Sequence, residues 1–339
     1  MAFRFGFGDE DGAQPAAAAG DGEVPPTPLR PVHEHPLQEL LDTLPDQLSY
    51  STVQIESPTG RTIHLPRREL YDIRLQLLSE DETNDEVVDQ LDNSDLRSGI
   101  YEGGFKTWEC SLDLASLLLD RGPRKDIDDL MRCDQVVELG AGTAMPSLVL
   151  FQHALLNSIP MTFVFADYND AVLRLATLPN MLLTWALNTT PDGPTSDNMH
   201  VSSKGDLGLN EDILKRFKDD MKARNINFIF LSGPWSPDLA SHIPNSSPDL
   251  GTVILAAETI YSPASTTAFV ELVVTLLKRV KMAKVMIGAK RMYFGVGGSV
   301  DGLKEACRER GAVAYEIENH GVPGMDGGVG RALVEVQMY

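Results

Sequence analysis

The sequence contains few cysteines and no long apolar segment. Its three cysteines, Cys110, Cys133 and Cys307, are widely spaced, which fits neither a disulfide framework nor a set of metal ligands and is typical of a reducing compartment. No apolar run approaches the length of a membrane span, and residues 1–8 hold no run long enough for a signal peptide. We therefore expect a protein of the cytoplasm and nucleus, the nucleolus included, that binds no metal and enters no membrane.

Basic residues are scarce relative to acidic ones. Lys and Arg number 29 against 49 Asp and Glu, which gives a formal net charge of -20. A chain with this charge is not held to nucleic acid by the release of counterions. We therefore expect no direct nucleic-acid binding, and small molecules or basic proteins as partners. Residues 79–95 hold eight acids and no base, a run that predicts a solvated loop.

The first part of the chain has a composition that disfavours folding. Residues 9–36 are rich in Ala, Gly, Pro and acids and cannot bury enough apolar surface to fold alone. We therefore expect residues 1–48 to be a largely disordered N-terminal extension. The alternating Phe3, Phe5 and Phe7 at its tip are compatible with disorder or with a short strand that docks on the body or on a partner.

Two further segments follow the extension. Residues 49–97 are expected to hold a β-hairpin, formed by 53–55 and 61–65, and a short helix. Residues 98–339 then form the main domain, with an insertion at about 189–225.

Strands and helices alternate through the main domain, which predicts an α/β sheet with helices on both faces. The predicted strands are 135–139, 161–166, 227–231, 252–257 and 284–289, followed by a closing antiparallel hairpin of 313–317 and 331–338. The third strand has two candidate ends, Gly205-Asp206 and Gly233-Pro234-Trp235. The second fits the usual spacing to the next strand, which is why 189–225 are expected to be an insertion.

A glycine turn follows the first strand, in the sequence Glu138-Leu139-Gly140-Ala141-Gly142-Thr143. The turn has no Lys-Ser/Thr pair, which excludes a P-loop, and it lacks the third glycine of the dinucleotide fingerprint. Open α/β sheets bind ligands at such a turn, although it can also be a plain tight turn. Glu138 nearby suits a positively charged ligand, and S-adenosylmethionine, with its sulfonium and ammonium, is such a ligand.

Acidic residues follow two of the other strands. Asp167 comes directly after the second strand, where a carboxylate can accept both ribose hydroxyls of an adenosine. Asp167 could instead cap the next helix, but Asn169 or Asp170 can fill that role. Glu258 follows the fourth strand and Tyr261 lies three residues further on, so a carboxylate and a phenol are expected at the catalytic edge.

Aromatic residues accompany several of these loops. Trp235 suits stacking on adenine or packing in the core, and Trp108 suits the core of its helix or, with Glu109 beside it, a ligand site after a glycine-rich segment. Tyr293 and Phe294 precede three glycines in a short stretch. This combination favours a flexible, ring-lined substrate loop over a bare linker.

Together these motifs resemble the seven-strand S-adenosylmethionine-dependent protein methyltransferases, and most closely the histidine protein methyltransferases that modify a histidine of ribosomal protein uL3. The resemblance covers about residues 98–338 and is carried by Tyr101-Glu102-Gly103-Gly104, Trp108-Glu109-Cys110, Asp167-Tyr168-Asn169, Leu178-Pro179-Asn180, Glu258-Thr259-Ile260-Tyr261 and Tyr293-Phe294-Gly295-Val296-Gly297-Gly298. It implies a Rossmann-like, class I methyltransferase sheet of seven strands for residues 98–339.

The resemblance also implies S-adenosyl-L-methionine as the cofactor. Its contacts would be Thr107, Trp108, Glu109, Cys110, Gly140, Gly142, Asp167, Tyr168, Asn169, Ser232, Gly233 and Trp235. Glu258 and Tyr261 would face the methyl-transfer centre, and Tyr293 and Phe294 would contact the substrate. The family's usual Gly-Asp/Glu-Trp is Gly233-Pro234-Trp235 in this chain, so an acid that could help to hold adenine is missing and Pro234 supplies no backbone donor.

The resulting hypothesis is a monomeric protein-histidine N-methyltransferase that acts on uL3, a basic protein that an acidic surface would attract. A neutral imidazole nitrogen would attack the sulfonium methyl, with Glu258 or Tyr261 at the other ring nitrogen to fix the tautomer. One alternative is a protein-lysine methyltransferase of the same fold, which the Tyr-Phe-Gly-Val-Gly-Gly loop disfavours. Another is an inactive fold that binds during ribosome assembly, which Gly140, Gly142 and Asp167 disfavour.

Overall fold

The computed structural model describes residues 30–80, 104–120, 133–189, 204–280, 282–317, 322, 325 and 330–339. Pro31–Tyr339 forms one compact unit. The phenylalanine-rich tip, acidic residues 81–95 and the motif residues 101–103 lie outside the described ranges.

Eleven strands and ten helices are described in these ranges. The strands are β1 (His33–His35), β2 (Gln47–Glu56), β3 (Thr62–Arg68), β4 (Cys133–Leu139), β5 (Met161–Asp167), β6 (Lys204–Gly208), β7 (Ile226–Ser232), β8 (Gly251–Ala257), β9 (Ala283–Lys290), β10 (Ala312–Glu316) and β11 (Arg331–Met338). The helices are α1 (Leu37–Asp42), α2 (Leu70–Ser79), α3 (Glu109–Asp120), α4 (Met145–Asn157), α5 (Asp170–Val172), α6 (Leu178–Thr189), α7 (Glu211–Ala223), α8 (Pro237–His242), α9 (Pro263–Leu277) and α10 (Val300–Glu309). A π-helical turn, Leu173–Thr177, joins α5 to α6.

An eight-stranded sheet, in the order β1-β7-β5-β4-β8-β9-β11-β10, organises the fold. β7, β5, β4, β8 and β9 are parallel, whereas β1 and β11 run antiparallel to their neighbours. Seven of these strands are the five predicted strands and the closing hairpin. The predicted Rossmann-like α/β fold is therefore confirmed, with β1 as one additional edge strand.

Both faces of the sheet are apolar because helices cover both. Successive strand residues point to opposite sides. Val136 and Phe163 pack into the core on one face, and the next residues, Val137 and Val164, pack into the core on the other. Within the described ranges, no helix is both long and apolar enough to cross a membrane.

The prediction that the N-terminal extension is largely disordered is wrong for residues 33–48, which include the edge strand β1. β1 pairs antiparallel with β7, and His35 Nε2 lies 2.7 Å from Ser232 Oγ. α1 then buries Leu40 and Leu41 against the main core. The sequence His-Glu-His has no apolar alternation, so the strand depends on backbone pairing that the local pattern does not reveal.

A second, three-stranded sheet has the order β3-β2-β6. β2 and β3 form the predicted hairpin, which is confirmed. β6 pairs with β2, with Gly205 opposite Tyr50, so Gly205-Asp206 does not end a strand of the large sheet. β7 pairs with β5 in parallel instead, which confirms Gly233-Pro234-Trp235 as the segment after the third strand.

Candidate active site

The carboxyl ends of the parallel strands bring the predicted site residues to one edge of the sheet. In sheet order, Ser232 ends β7, Asp167 ends β5, Gly140 follows β4, Glu258 follows β8 and Lys290 ends β9. The chain runs outward from β4 to β5 and β7 and then returns to β8 and β9, so the strand order reverses between β4 and β8. Open α/β sheets bind ligands at such a switch point.

A cleft opens at this edge, with about 690 Å³ of empty space when the open solvent at its mouth is included. The predicted residues that line it are Trp108, Gly140, Gly142, Asp167, Tyr168, Trp235, Glu258, Tyr261 and Tyr293. Gly104, Ala257, Thr259 and Lys290 complete the lining. The predicted residues that do not line it are Thr107, Glu109, Cys110, Asn169, Ser232, Gly233 and Phe294.

The glycine turn after β4 requires glycine for two different reasons. Gly140 and Gly142 have φ angles of 72° and 53°, in the left-handed region that side chains disfavour. A Cβ on Gly140 would also lie 2.9 Å from Thr259 Cγ2. The Gly140 amide donates to Ala166 O over 2.8 Å, which ties the turn to β5. The result is a turn whose bare backbone faces the cleft.

Side chains from neighbouring elements hold this turn in place. The Gly142 amide donates to Asp167 Oδ2 over 3.1 Å, and Thr177 Oγ1, in the π-helical turn, donates to Gly142 O over 2.7 Å. Asn180 Nδ2 donates to Thr143 O over 3.0 Å. Asn180 is the last residue of the Leu-Pro-Asn motif, to which the sequence analysis assigned no role; the motif positions the turn.

Glu138 does not face the cleft, which corrects its expected contact with a positively charged ligand. Its side chain is buried, and Oε2 accepts a hydrogen bond from the Ser147 amide, in the first turn of α4, over 3.0 Å. Burial raises the pKa of Glu138 to about 8. The carboxyl is therefore largely protonated at neutral pH and stabilises the start of α4.

The sequence left open whether Asp167 or Asn169 caps the helix that follows β5 and which of them faces a ligand. Asn169 caps α5, since its Oδ1 accepts from the Ala171 amide over 3.0 Å. Asp167 Oδ1 accepts from the Asn169 amide over 3.2 Å, and the carboxylate lines the cleft. Each carboxylate oxygen has a second lone pair, so Asp167 can accept further hydrogen bonds from a bound ligand.

The start of α3 places its residues in different environments. Trp108 lines the cleft, while Thr107 Oγ1 donates to Thr143 Oγ1 over 3.2 Å, behind the wall. Glu109 is 67% exposed and pairs with Arg331 Nη1 over 3.1 Å. This ion pair, rather than the cleft, engages the Glu109 carboxylate.

The segment after β7 contacts the N-terminal strand. Ser232 Oγ is engaged by His35, and Gly233, with a φ angle of 135°, packs so closely that a Cβ would lie 3.0 Å from Val32 Cα. Trp235 lines the cleft and also packs edge-on against Phe269, with ring centroids 5.3 Å apart. Trp235 thus combines a core contact with a face available to a ligand.

Glu258 adopts an unusual conformation at the end of β8. Its φ angle is 58°, in the left-handed region, and backbone strain of this kind in a non-glycine residue clusters at functional sites. The side chain is only 9% exposed, and Oε1 has no hydrogen-bond partner within the described part of the chain. A buried acceptor without a hydrogen-bond partner is costly, so the Glu258 carboxylate, which lines the cleft, is a candidate functional group.

Two buried groups adjoin the Glu258 carboxylate. Burial raises the pKa of the Cys110 thiol and of the Tyr293 phenol, and Glu258 raises both further. Both groups therefore remain protonated at neutral pH and can donate to the carboxylate. Cys110 does not line the cleft, and its thiol adjoins the Glu258 carboxylate from behind the cleft wall.

The glycine-rich loop is an ordered turn. The Tyr293 amide donates to Gly298 O over 2.8 Å, and the Gly298 amide donates to Tyr261 O over 3.0 Å. Tyr293 is buried in the cleft wall, whereas Phe294 is 78% exposed. Of the two predicted substrate residues, only Tyr293 lines the cleft.

Sequence reasoning missed Lys290. Its Nζ lies 3.8 Å from Glu258 Oε1 and 5.1 Å from the centroid of the Trp108 ring. The predicted strand 284–289 ends one residue before it. The rule that identified Asp167 and Glu258, a polar residue at the carboxyl end of a strand, would also have identified Lys290.

The cleft suits S-adenosylmethionine. Gly140 and Gly142 line the cleft with bare backbone, Asp167 offers acceptors for ribose hydroxyls, and Trp108 and Trp235 present aromatic rings. Glu258 adds a carboxylate at the transfer side. This fold and this cleft define a class I S-adenosylmethionine-dependent methyltransferase.

Comparisons with known proteins place the chain within that class. It is 37% identical over 305 residues to histidine protein methyltransferase 1 of Schizosaccharomyces pombe, covering 88% of this chain and 82% of that protein. It is 36% identical over 287 residues to histidine protein methyltransferase 1 of Saccharomyces cerevisiae, covering 78% and 73% of the two chains. The chain therefore belongs to the histidine protein methyltransferase family and is an S-adenosylmethionine-dependent protein methyltransferase.

Family profiles and solved structures do not define the family further. No family profile matches the chain. Among solved structures it is similar to a putative class I S-adenosylmethionine-dependent methyltransferase from Listeria monocytogenes, with 9% identity, coverage of 79% of this chain and 68% of that one, and a TM-score of 0.37.

Proposed function

We propose that this protein transfers a methyl group from S-adenosylmethionine to an imidazole nitrogen of a histidine in ribosomal protein uL3. The observation that carries the proposal is Glu258 Oε1, which is buried on the cleft wall without a hydrogen-bond partner among the described residues. A neutral imidazole has one nitrogen that donates and one with a free lone pair. Glu258 can therefore accept from the first while the second faces the methyl donor.

The cofactor supplies an activated methyl group on its sulfonium. Asp167, with Gly140 and Gly142, would hold the adenosine part. Trp235 offers a stacking surface for the adenine ring.

The chain's own residues would contribute positioning and electrostatic stabilisation. Glu258 selects the imidazole tautomer by accepting from its N–H, and it stabilises the positive charge that develops on the ring as the new N–CH3 bond forms. As the N–CH3 bond forms, the sulfonium C–S bond breaks and S-adenosylhomocysteine leaves as a neutral thioether. The methylimidazolium then releases its N–H proton to water and becomes a neutral methylimidazole. No strong base is required, because the unperturbed imidazole pKa near 6.5 leaves the ring neutral at physiological pH. Tyr261, on the same wall, orients the ring.

The charge of the chain supports uL3 as a substrate. A formal net charge of -20 favours capture of a basic ribosomal protein, in the cytoplasm or the nucleus, and accelerates that capture at low salt. Acidic residues lie on several exposed elements, such as Asp238 on α8 and Asp301 on α10. The same charge disfavours RNA as the primary contact.

Mass spectrometry of uL3 from cells with and without this protein tests the proposal. We expect one methyl group on a single histidine peptide to disappear when the protein is absent and to return when the wild-type chain is restored. Restoring the chain with Glu258→Gln should not bring it back. An unchanged uL3 spectrum, or a methyl group on lysine, would contradict the proposal.

A further inference from the structure

Lys290 gives the wall of the cleft a positive charge beside Glu258. The distance of 3.8 Å between Lys290 Nζ and Glu258 Oε1 is an ion pair but too long for a hydrogen bond. The ammonium also lies 5.1 Å from the Trp108 ring centroid and 5.8 Å from that of Tyr293. Cation–π attraction to two rings holds the ammonium in this position.

The second cation near this wall, Arg331, is engaged by two acids. Arg331 Nε lies 2.6 Å from Asp113 Oδ2, and Arg331 Nη1 lies 3.1 Å from Glu109. Asp167 stands on β5, two strands away from β8 in the sheet. Of the described residues that line the cleft, Lys290 is the only cation. Because Glu258 and Lys290 carry opposite charges, the pair itself has no net charge.

We propose that Lys290 is the residue that selects a neutral imidazole over a lysine ammonium at this site. The inference rests on the proposed function and names the group that determines its acceptor specificity. An unpaired, buried carboxylate would attract any cationic side chain that entered the cleft. Because Lys290 neutralises Glu258 and repels a second ammonium, the site offers a hydrogen-bond acceptor without offering a binding site for a cation.

The geometry allows both effects at once. Lys290 neutralises Glu258 through space, and the separation leaves Oε1 without a hydrogen-bond partner within the described residues. An imidazole N–H in the cleft can therefore still donate to the Glu258 carboxylate, which lines it. An ammonium in the same place would lie close to Lys290 Nζ, and like charges at close range repel each other strongly in a desolvated site.

Binding measurements on Lys290→Met test this inference without depending on turnover. Peptides that each carry one histidine of uL3 are first screened for methylation by the wild type. The methylated peptide is then prepared with His, Lys or norleucine at the acceptor position, and its Kd is measured with the enzyme saturated with S-adenosylhomocysteine. Norleucine matches the lysine stem without the charge.

The wild type should bind the Lys peptide no more tightly than the norleucine peptide. In Lys290→Met, we expect the Lys peptide to gain at least about tenfold in affinity relative to norleucine, which corresponds to about 1.4 kcal/mol. Lys290→Arg retains the cation and should behave as the wild type. Lys284→Met, on the same strand but paired with Glu335, is the matched control and should not change the ratio.

Lys290→Gln serves as the second variant if Lys290→Met fails to fold. The inference would be overturned if a folded variant that binds S-adenosylhomocysteine kept the wild-type ratio of Kd values for the Lys and norleucine peptides. In that case, methylation of the histidine peptide by the wild type would still support the proposed function. A purely structural role of Lys290 would weaken all three peptides equally and would also overturn the inference. If the wild type methylates neither the uL3 peptides nor intact uL3, the proposed function fails and this inference fails with it.

Discussion

The Gly142 amide donates a hydrogen bond to Asp167 Oδ2 over 3.1 Å, so the turn after β4 and the acid at the end of β5 form one unit. Thr177 and Asn180 also hold the turn, because they donate to the carbonyl oxygens of Gly142 and Thr143. The adenosine side of the cleft is thus preorganised by four elements that meet at the switch point of the sheet. Such preorganisation reduces the entropy lost on binding.

Asp167→Asn tests this unit. The amide removes the charge and offers one acceptor oxygen where the carboxylate offers two, so it cannot serve both backbone donors and a ligand. Since a hydrogen bond to a charged group contributes about 1.5–3 kcal/mol, we expect the Kd for S-adenosylmethionine, measured by calorimetry, to rise roughly 10- to 100-fold.

Asp170→Asn is the matched control. Asp170 is exposed in the first turn of α5, three residues from Asp167, and does not line the cleft. Its Kd for the cofactor should equal that of the wild type. If both variants bound the cofactor like the wild type, Asp167 would have no role in holding it.

Glu258→Gln separates chemistry from cofactor binding. The substitution keeps the shape of the side chain but removes the charge that would stabilise the developing imidazolium. In single-turnover assays we expect the methylation rate to fall by at least about 100-fold, with the cofactor Kd within about twofold of the wild type.

Glu271→Gln provides the comparison for that assay. Glu271 lies on the exposed side of α9 and pairs with Arg310, so its loss should leave the rate unchanged. Tyr261→Phe should lower the rate less than Glu258→Gln. Wild-type rates in both Glu258→Gln and Tyr261→Phe would show that neither residue contributes to the transfer.

The central sheet could be predicted because its strands are continuous apolar runs, such as Phe163–Ala166, bounded by polar residues. Both faces of these strands are buried, and a parallel sheet covered by helices produces that pattern. Site residues at strand ends follow from the same rule. Asp167 and Glu258 were found in this way, and both line the cleft.

Other features depend on tertiary contacts that the local sequence does not encode. β1 is polar and forms only because β7 offers an unpaired edge. Glu138 is the second-last residue of β4, two residues before Gly140, but the alternation of the strand turns it towards α4 rather than towards the cleft. The direction of a side chain at a strand end changes with a shift of one residue, so sequence position alone could not separate Glu138 from Asp167.

Gly140→Ala tests whether the turn needs glycine for its backbone or for the space beside it. The left-handed conformation alone costs a side chain about 1–2 kcal/mol, and the new Cβ would also approach Thr259 Cγ2 at 2.9 Å. We expect a lower thermal midpoint and weaker cofactor binding.

Two further variants separate the cost of the left-handed backbone conformation from the cost of the contact with Thr259. Gly295→Ala has a similar φ angle of 85° but nothing within 4 Å of its Cβ, so it reports the backbone cost alone and should leave cofactor binding unchanged. Thr259→Ser removes the Cγ2 methyl and should restore part of the stability of Gly140→Ala. If it restores none, the contact with Thr259 is not the source of the loss.

Glu138→Gln should change how stability depends on pH. Burial raises the pKa of Glu138 to about 8 from an ordinary value of 4.5. Between these values the folded state keeps a proton that the unfolded state releases, so the stability contributed by this group is fully present below pH 4.5 and is lost as pH rises towards 8. Each pH unit in that window costs about 1.4 kcal/mol.

Glutamine resembles the protonated acid and does not titrate. The free energy of unfolding is measured by urea denaturation across this range. The value for Glu138→Gln minus the value for the wild type should therefore increase from pH 4.5 to 8 and stay constant above pH 8. A constant difference between Glu138→Gln and the wild type at all pH values would mean that Glu138 is ionised in the folded protein.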